Sequence, residues 1–383
     1  MSTELTELKS TGLKTDEMII NMGPQHPATH GVLRLILTLD GEFVKHTEPV
    51  LGHLHRAQEW QGQNRTWFQY QALIDRVDYL SGMFTSLALA RAAETIDGCA
   101  VPERAEWLRV LVCEMNRISS HLLWLGTYLI DLGAMFGFPF YPFREREKLL
   151  DLFEEIAGQR MMFNYIRIGG VQRAPKDDWY KRVEHFANNF DKRVDEYEAI
   201  VTQNPIFLQR TTGIGNLTQQ IAREYGMSGP CVRASGMDYD LRKTKPYSIY
   251  PKLDFKVHSM NHDTKVGDTR DRYTLRILEM RESTKMIKQC LEMMPKEGEL
   301  TGKKQNAGLR VKAGEGFAAV ESPRGVLGCY VISNGSDRPV RFRWRNPSFC
   351  NLSALAELLT GHPVADIMAI FGSIDVILPD VDR

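Results

Sequence analysis

The chain has 383 residues, 43% hydrophobic and 25% charged, with 48 Lys+Arg balanced by 48 Asp+Glu. Such a composition suits a folded globular chain and excludes disorder or a fibrous repeat, while zero net charge removes the electrostatic footprint of a nucleic-acid binder. The six cysteines, Cys99, Cys113, Cys231, Cys290, Cys329 and Cys350, are too scattered for a disulfide framework, a zinc site or an iron–sulfur motif.

In chain order, residues 1–17 read as a flexible polar tail without the basic and apolar segments of a signal peptide. A β-hairpin region is expected over 18–54: Leu33, Leu35, Leu37 and Leu39 alternate at the period of a strand, and Asp40-Gly41 supplies the turn. A helical core is expected over 55–307. Its helices are placed at 57–73, 78–96, 144–164, 178–202 and 270–295, with a long one opened by Pro102-Glu103. C-terminal strands at 317–321, 327–333 and 340–345, a helix near 351–360 and a non-helical buried tail complete the region 308–383. The fold class is therefore α+β, with a helical core and strand elements at both ends. Leu122 to Phe143 approaches the ~20 residues of a membrane span. Asp131, Gly137, Pro139 and Pro142 interrupt that stretch, so a buried helix is expected instead.

Several clusters can carry chemistry. Gly23-Pro24-Gln25-His26-Pro27-Ala28-Thr29-His30-Gly31 holds two histidines on a stiff turn. They either bond the local backbone or handle protons, since histidine changes charge near neutral pH. His53 and His55 share a face on a strand, but no third ligand lies near enough for a metal site. Asp75-Arg76-Val77-Asp78-Tyr79 offers a phenol that can donate to a reduced carbonyl, or else forms an ordinary helix face. The long helix carries His121 and Asp131 among leucines, where a buried carboxylate needs a cationic partner. Arg144-Glu145-Arg146-Glu147 reads as a solvated face, and Arg167 and Arg233 sit beside permissive glycine turns as interface or structural residues. No glycine pattern supports a nucleotide site.

Taken together, NMGPQHPATHGVLRLILTLDGE (21–42), DRVDYLSGMF (75–84), RISSHLLWLGTYLIDLGAM (117–135), FREREKLLDLFEEIAGQR (143–160), YIRIGG (165–170), VRASG (232–236), REST (281–284) and the terminal DVDR (380–383) resemble the 49-kDa, or D, subunit of respiratory complex I. The matches run in order over nearly the whole chain. This family is similar in turn to the large subunit of nickel–iron hydrogenases, which implies a hydrogenase-large-subunit-like fold. At the four hydrogenase cysteine positions the chain carries Asp78, Ser81, Ile377 and Asp380. Without soft thiolates, no metal is expected in this chain, and hydrogenase chemistry is excluded.

The resemblance implies that the former metal pocket is a quinone site facing a small partner subunit that holds the terminal 4Fe-4S cluster. Headgroup contacts fall on His30 and Tyr79, the acidic partner of His30 on Asp131, and positions close to the cluster on Arg56 and Arg76. The quinone is ubiquinone, menaquinone or plastoquinone. NAD(H), ferredoxin or another donor binds a distant subunit. Other peripheral-arm subunits and a membrane-arm subunit at the quinone entry are the remaining expected partners, with no nucleic acid. The expected location is peripheral, on the cytoplasmic face of the inner (plasma) membrane or the stromal face of a thylakoid. Where many relatives carry a cluster-tuning histidine, this chain has Met162, which cannot titrate. Since the site residues are present, a purely structural subunit that has lost catalysis is disfavoured.

Overall fold

The computed structural model describes residues 17–24, 32–133 and 137–383. Strands β1 (Glu17–Met22), β2 (Arg34–Asp40) and β3 (Phe43–Val50) form an antiparallel sheet with β2 in the middle. Leu35, Leu37 and Leu39 point inward and their neighbours outward, as the alternation requires. The turn between β2 and β3 falls at Asp40-Gly41, as expected. Strand β1 was not anticipated: it takes in Glu17 from the expected tail, and its register is set by pairing Glu17 with Asp40 and Met22 with Leu35. Such a strand is specified by its partner more than by its own pattern.

The helical region contains helices close to each expected position. The segment 57–73 divides into Gln58–Asn64 and Trp67–Gln71, because Thr66 caps the second helix through a reciprocal capping box with Gln69. The long helix, Glu103–Asp131, spans 29 residues, or ~43 Å at 1.5 Å per residue. Pro102 precedes it, and Glu103 and Glu106 lie in its first turn, where carboxylates favour the helix dipole. It is buried on every side through its middle, which makes it the axis of the main core. Among the described residues no helix is long and apolar enough to cross a membrane.

At the C-terminus, strands Ala313–Ser322, Gly325–Asn334 and Pro339–Arg345 form a three-stranded antiparallel meander. The last stretch of chain is more helical than expected: Pro347–Ser353, Leu355–Leu359, Ile367–Ile374 and Leu378–Asp382 are all helices. Burial decides this. Ile367–Ile374 docks on the long helix so closely that a Cβ on Gly372 would lie 2.8 Å from the Tyr128 ring, and Leu378–Val381 is buried after it. A second core joins the underside of the N-terminal sheet to these C-terminal helices.

Candidate functional site

The site is built where the C-terminal end of the long helix meets the C-terminal helices. Tyr79 follows the short 3-10 turn Ile74–Arg76 and precedes helix Gly82–Asp97, so its ring is carried by a tight, buried connection. Asp131 is the last residue of the long helix. A carboxylate there faces the partial negative charge of the helix end. Tyr79 and Asp131 line the same cavity of about 300 Å³, between Trp124 and Thr127 on one wall and Asp375–Pro379 on the other. Burial pushes the Tyr79 phenol above its ordinary value, aided by Asp78 and Asp375 and opposed by Arg324 and Arg56, so it stays protonated at neutral pH.

Behind Tyr79 lies a buried polar floor. Arg324 is 0% exposed; its Nη1 donates to Asp78 Oδ2 at 2.8 Å and its Nη2 to Ser120 Oγ at 3.1 Å. Its Nε lies 3.8 Å from Asp375 Oδ1. Ser81 Oγ donates to Asp78, and Asp380 accepts from Asn346 Nδ2 and the Ser348 amide. Asp78, Ser81 and Asp380 thus join this floor around a guanidinium. Among the described residues no group of three or more His, Cys, Asp or Glu is placed to hold a metal ion. That includes His53 and His55; the latter's Nδ1 lies 2.6 Å from the Asp382 carbonyl. The Asp382 carboxylate accepts from the Gly52 and Leu54 amides at 2.9 and 2.7 Å, which fixes Leu54 at the cavity edge.

The floor makes a testable statement about pH. Burial, reinforced by the charge of Asp78, pushes the Asp380 carboxyl up to about 7. The folded chain therefore holds a proton there that the unfolded chain releases near pH 4, and stability drains away as pH rises from about 4 to about 7. His121, lowered by burial, works in the opposite sense, so the informative quantity is a difference. Relative to Asp380→Asn, the native chain should lose on the order of a few kcal/mol of unfolding stability across that window, beyond any pH-independent offset. Parallel stability–pH curves for the two proteins would contradict it.

A larger ionic network fills the helical core beyond the floor. Arg117 pairs with Glu114 at 3.1 Å, Arg242 with Glu114 at 3.3 Å and with Asp240 at 2.7 Å, and Arg233 with Glu321 at 2.9 Å. Arg233 also bonds Glu279, whose other oxygen lies 3.0 Å from His121 Nε2. Despite burial, Arg242 and Arg233 hold Asp240 down at about 2. His121 therefore answers to Glu279, not to the cavity, and Arg233 is a core residue, not an interface one. Glu145 also departs from expectation. It is buried and pairs with Arg144 at 2.8 Å and Lys148 at 2.7 Å, so 144–147 is only partly a solvated face.

Of the expected site residues, Tyr79 and Asp131 are brought together. His26 and His30 lie outside the described residues. Arg56 and Arg76 are both exposed; the charge of Arg56 is felt at Tyr79, and Arg76 Nη1 donates to the Ala72 carbonyl at 2.9 Å. Met162 is half-buried with a left-handed backbone, φ 61°. Sequence reasoning missed Arg324, Asp375 and Trp124. For Asp375 a signal existed, since it opens the segment read above as resembling the place of the hydrogenase C-terminal motif; Arg324 lies in a β-turn that no motif marks.

The chain as a whole is similar to proteins of one family. Residues 131–307 and 301–383 match the family described as the respiratory-chain NADH dehydrogenase, 49 Kd subunit. The chain is 46% identical over 370 residues to the NADH-quinone oxidoreductase D subunit of Geobacillus kaustophilus, covering 97% of this chain and 99% of that one. It is 45% identical over 390 residues to a D subunit of the NADH-quinone oxidoreductase of Koribacter versatilis, covering 96% of each. The class is thus a subunit of a multi-subunit oxidoreductase. The chain belongs to the 49-kDa, or D, subunit family of respiratory-chain NADH dehydrogenase.

Proposed function

We propose that the cavity between Trp124 and Asp375–Pro379 receives a quinone headgroup, and that this chain is the quinone-site subunit of a complex I-type, ion-translocating oxidoreductase. The observation that carries the reading is the meeting of Tyr79 and Asp131, far apart in sequence, on one cavity of about 300 Å³, within the size range of small-ligand sites. A quinone taking two electrons needs two protons, and each carbonyl oxygen becomes basic as it is reduced. Tyr79 donates to one oxygen and His30 to the other, with Asp131 pairing with His30 to keep its imidazole charged until the proton is needed. Loss of those protons leaves an imbalance around Asp131, which begins the coupling to ion movement in the membrane arm.

Electrons arrive from the terminal 4Fe-4S cluster of a partner subunit. Exposed Arg56 and Arg76 face that partner, and their positive charge favours electron acceptance by the cluster. NADH or another donor binds a distant subunit; the quinone is ubiquinone, menaquinone or plastoquinone. The assembly sits peripherally on a membrane, on the cytoplasmic or stromal face. Because Met162 cannot titrate, the cluster's midpoint potential should stay nearly flat with pH; a redox titration at pH 6 and pH 8 reads this directly.

Filling the cavity tests the whole reading. Thr127, half-buried on the cavity wall, accommodates a larger side chain only by projecting it into that space. Thr127→Trp should abolish quinone reduction in the assembled complex while the donor still reduces the cluster. Wild-type quinone turnover in that variant would refute the assignment.

A further inference from the structure

The geometry points to Arg276 as the positioning residue that holds the two walls of this cavity in register; the inference rests on the quinone reading and deepens it. Arg276 lies on helix Thr269–Met293 and is 0% exposed. Its guanidinium Cζ sits 4.4 Å from the centroid of the Trp124 ring, which forms one wall. Its Nη1 donates to the Ser373 carbonyl at 2.9 Å and its Nη2 to the Ile374 carbonyl at 3.2 Å, the two residues just before the other wall. One planar group therefore touches both sides. Trp124 Nε1 completes the link by donating to the Gly372 carbonyl at 2.8 Å.

What this clamp controls is the direction of Asp375. That residue ends helix Ile367–Ile374 in the left-handed region, φ 59° and ψ 57°, so its carboxylate is aimed by a backbone conformation that few side chains adopt. Arg276 bonds the carbonyls immediately before that turn. Its Nε lies 3.9 Å from Asp375 Oδ2, too far for a hydrogen bond, and both atoms are buried without a hydrogen-bond partner among the described residues. The arginine thus balances the charge of the Asp375 carboxylate from behind the cavity wall, by proximity and without a hydrogen bond to it. Only a fork of several donors can bond two carbonyls and stack on an indole at once, and a lysine cannot.

Arg272, one turn earlier on the same helix, provides an internal control. It grips the same segment, Nε to Ser373 Oγ at 2.8 Å, and also holds the Gly215 carbonyl at 3.0 Å. Among the described residues it makes no hydrogen bond, ion pair or cation–π contact with Trp124 or Asp375, and it does not line the cavity. If Arg276 merely stabilised the tail, the two arginines would behave alike.

The experiment compares Arg276→Lys and Arg272→Lys in the assembled complex, with Tyr79→Phe alongside. Arg276→Lys keeps the positive charge but loses the fork. It should raise the KM for a short-chain quinone about tenfold, through sub-ångström misplacement of the wall, with a smaller change in kcat and normal reduction of the cluster by the donor. Arg272→Lys should leave that KM within about twofold of wild type. The inference is overturned if Arg276→Lys leaves KM unchanged, if both lysine variants shift KM equally, or if Arg276→Lys fails to assemble. Should Tyr79→Phe and Arg276→Lys both leave quinone kinetics untouched, the quinone reading itself falls. Loss in Tyr79→Phe with normal kinetics in Arg276→Lys defeats only the role given to Arg276.

Discussion

Tyr79→Phe should cut quinone reduction by about 10²-fold or more while leaving reduction of the partner's cluster by the electron donor intact. The substitution removes one oxygen and keeps the ring, so packing against Leu80 and the C-terminal wall survives. What disappears is the hydrogen bond to a carbonyl that gains charge during reduction, and a donor placed in a water-poor cavity acts most strongly on that charge. Burial keeps the phenol protonated across the physiological range, so the group is in its donating form before the electrons arrive. The loss should appear in kcat more than in KM, because the interaction strengthens in the transition state. An unaltered turnover number in Tyr79→Phe would remove the tyrosine from the mechanism.

The largest effect on stability is expected at Arg324. Replacing this buried guanidinium by methionine, of similar length and no charge, strands Asp78 in an interior with no other cation bonded to its carboxylate among the described residues, and leaves Asp375 with Arg276 alone. Removing one partner of such a buried cluster costs about 3–5 kcal/mol, since the remaining charge keeps its desolvation penalty and loses its compensation. Arg324→Met should therefore lower the thermal midpoint sharply and reduce assembly. Adding Asp78→Asn should recover part of the loss, because the residues in contact are coupled and the double change deletes both charges. If the single variant unfolded at the native temperature, or if the second substitution made matters worse, the account of the floor would be wrong. A guanidinium at this place also explains why the buried Asp78 carboxylate is tolerated: it needs a resident cation, and Arg324 supplies it from the chain.

The relation between floor and function is electrostatic. Asp375 faces the cavity on one side and the two arginines, Arg276 and Arg324, on the other. On the quinone reading proposed above, a proton taken from Tyr79 would leave a negative charge next to a region already carrying Asp78, Asp375 and Asp131. The positive groups behind the wall keep that cost within reach at each turnover. The ionic network around Glu114, Arg233 and Glu279 is better understood as the way the core satisfies charges that the long helix carries inward.

Much of this was written in the sequence in local terms. The alternation Leu33 to Leu39 and the Asp40-Gly41 turn specify the hairpin, and Pro102-Glu103 with its apolar run specifies the long helix, because each depends on neighbours a few residues away. Strand β1 and the helices of the C-terminal tail were not legible, since pairing with β2 and docking on the long helix decide them. The chemistry divides along the same line. The residue types Tyr79, Asp131, Asp78, Ser81, Ile377 and Asp380 could be read directly from the chain. That Tyr79 and Asp131 share a cavity, that Arg324 answers the carboxylates, and that Arg276 joins Trp124 to the 373–375 turn could not. A lone arginine in a sequence shows its charge but not its partners; a buried charge finds those partners across the fold, and only tertiary packing says which ones they are.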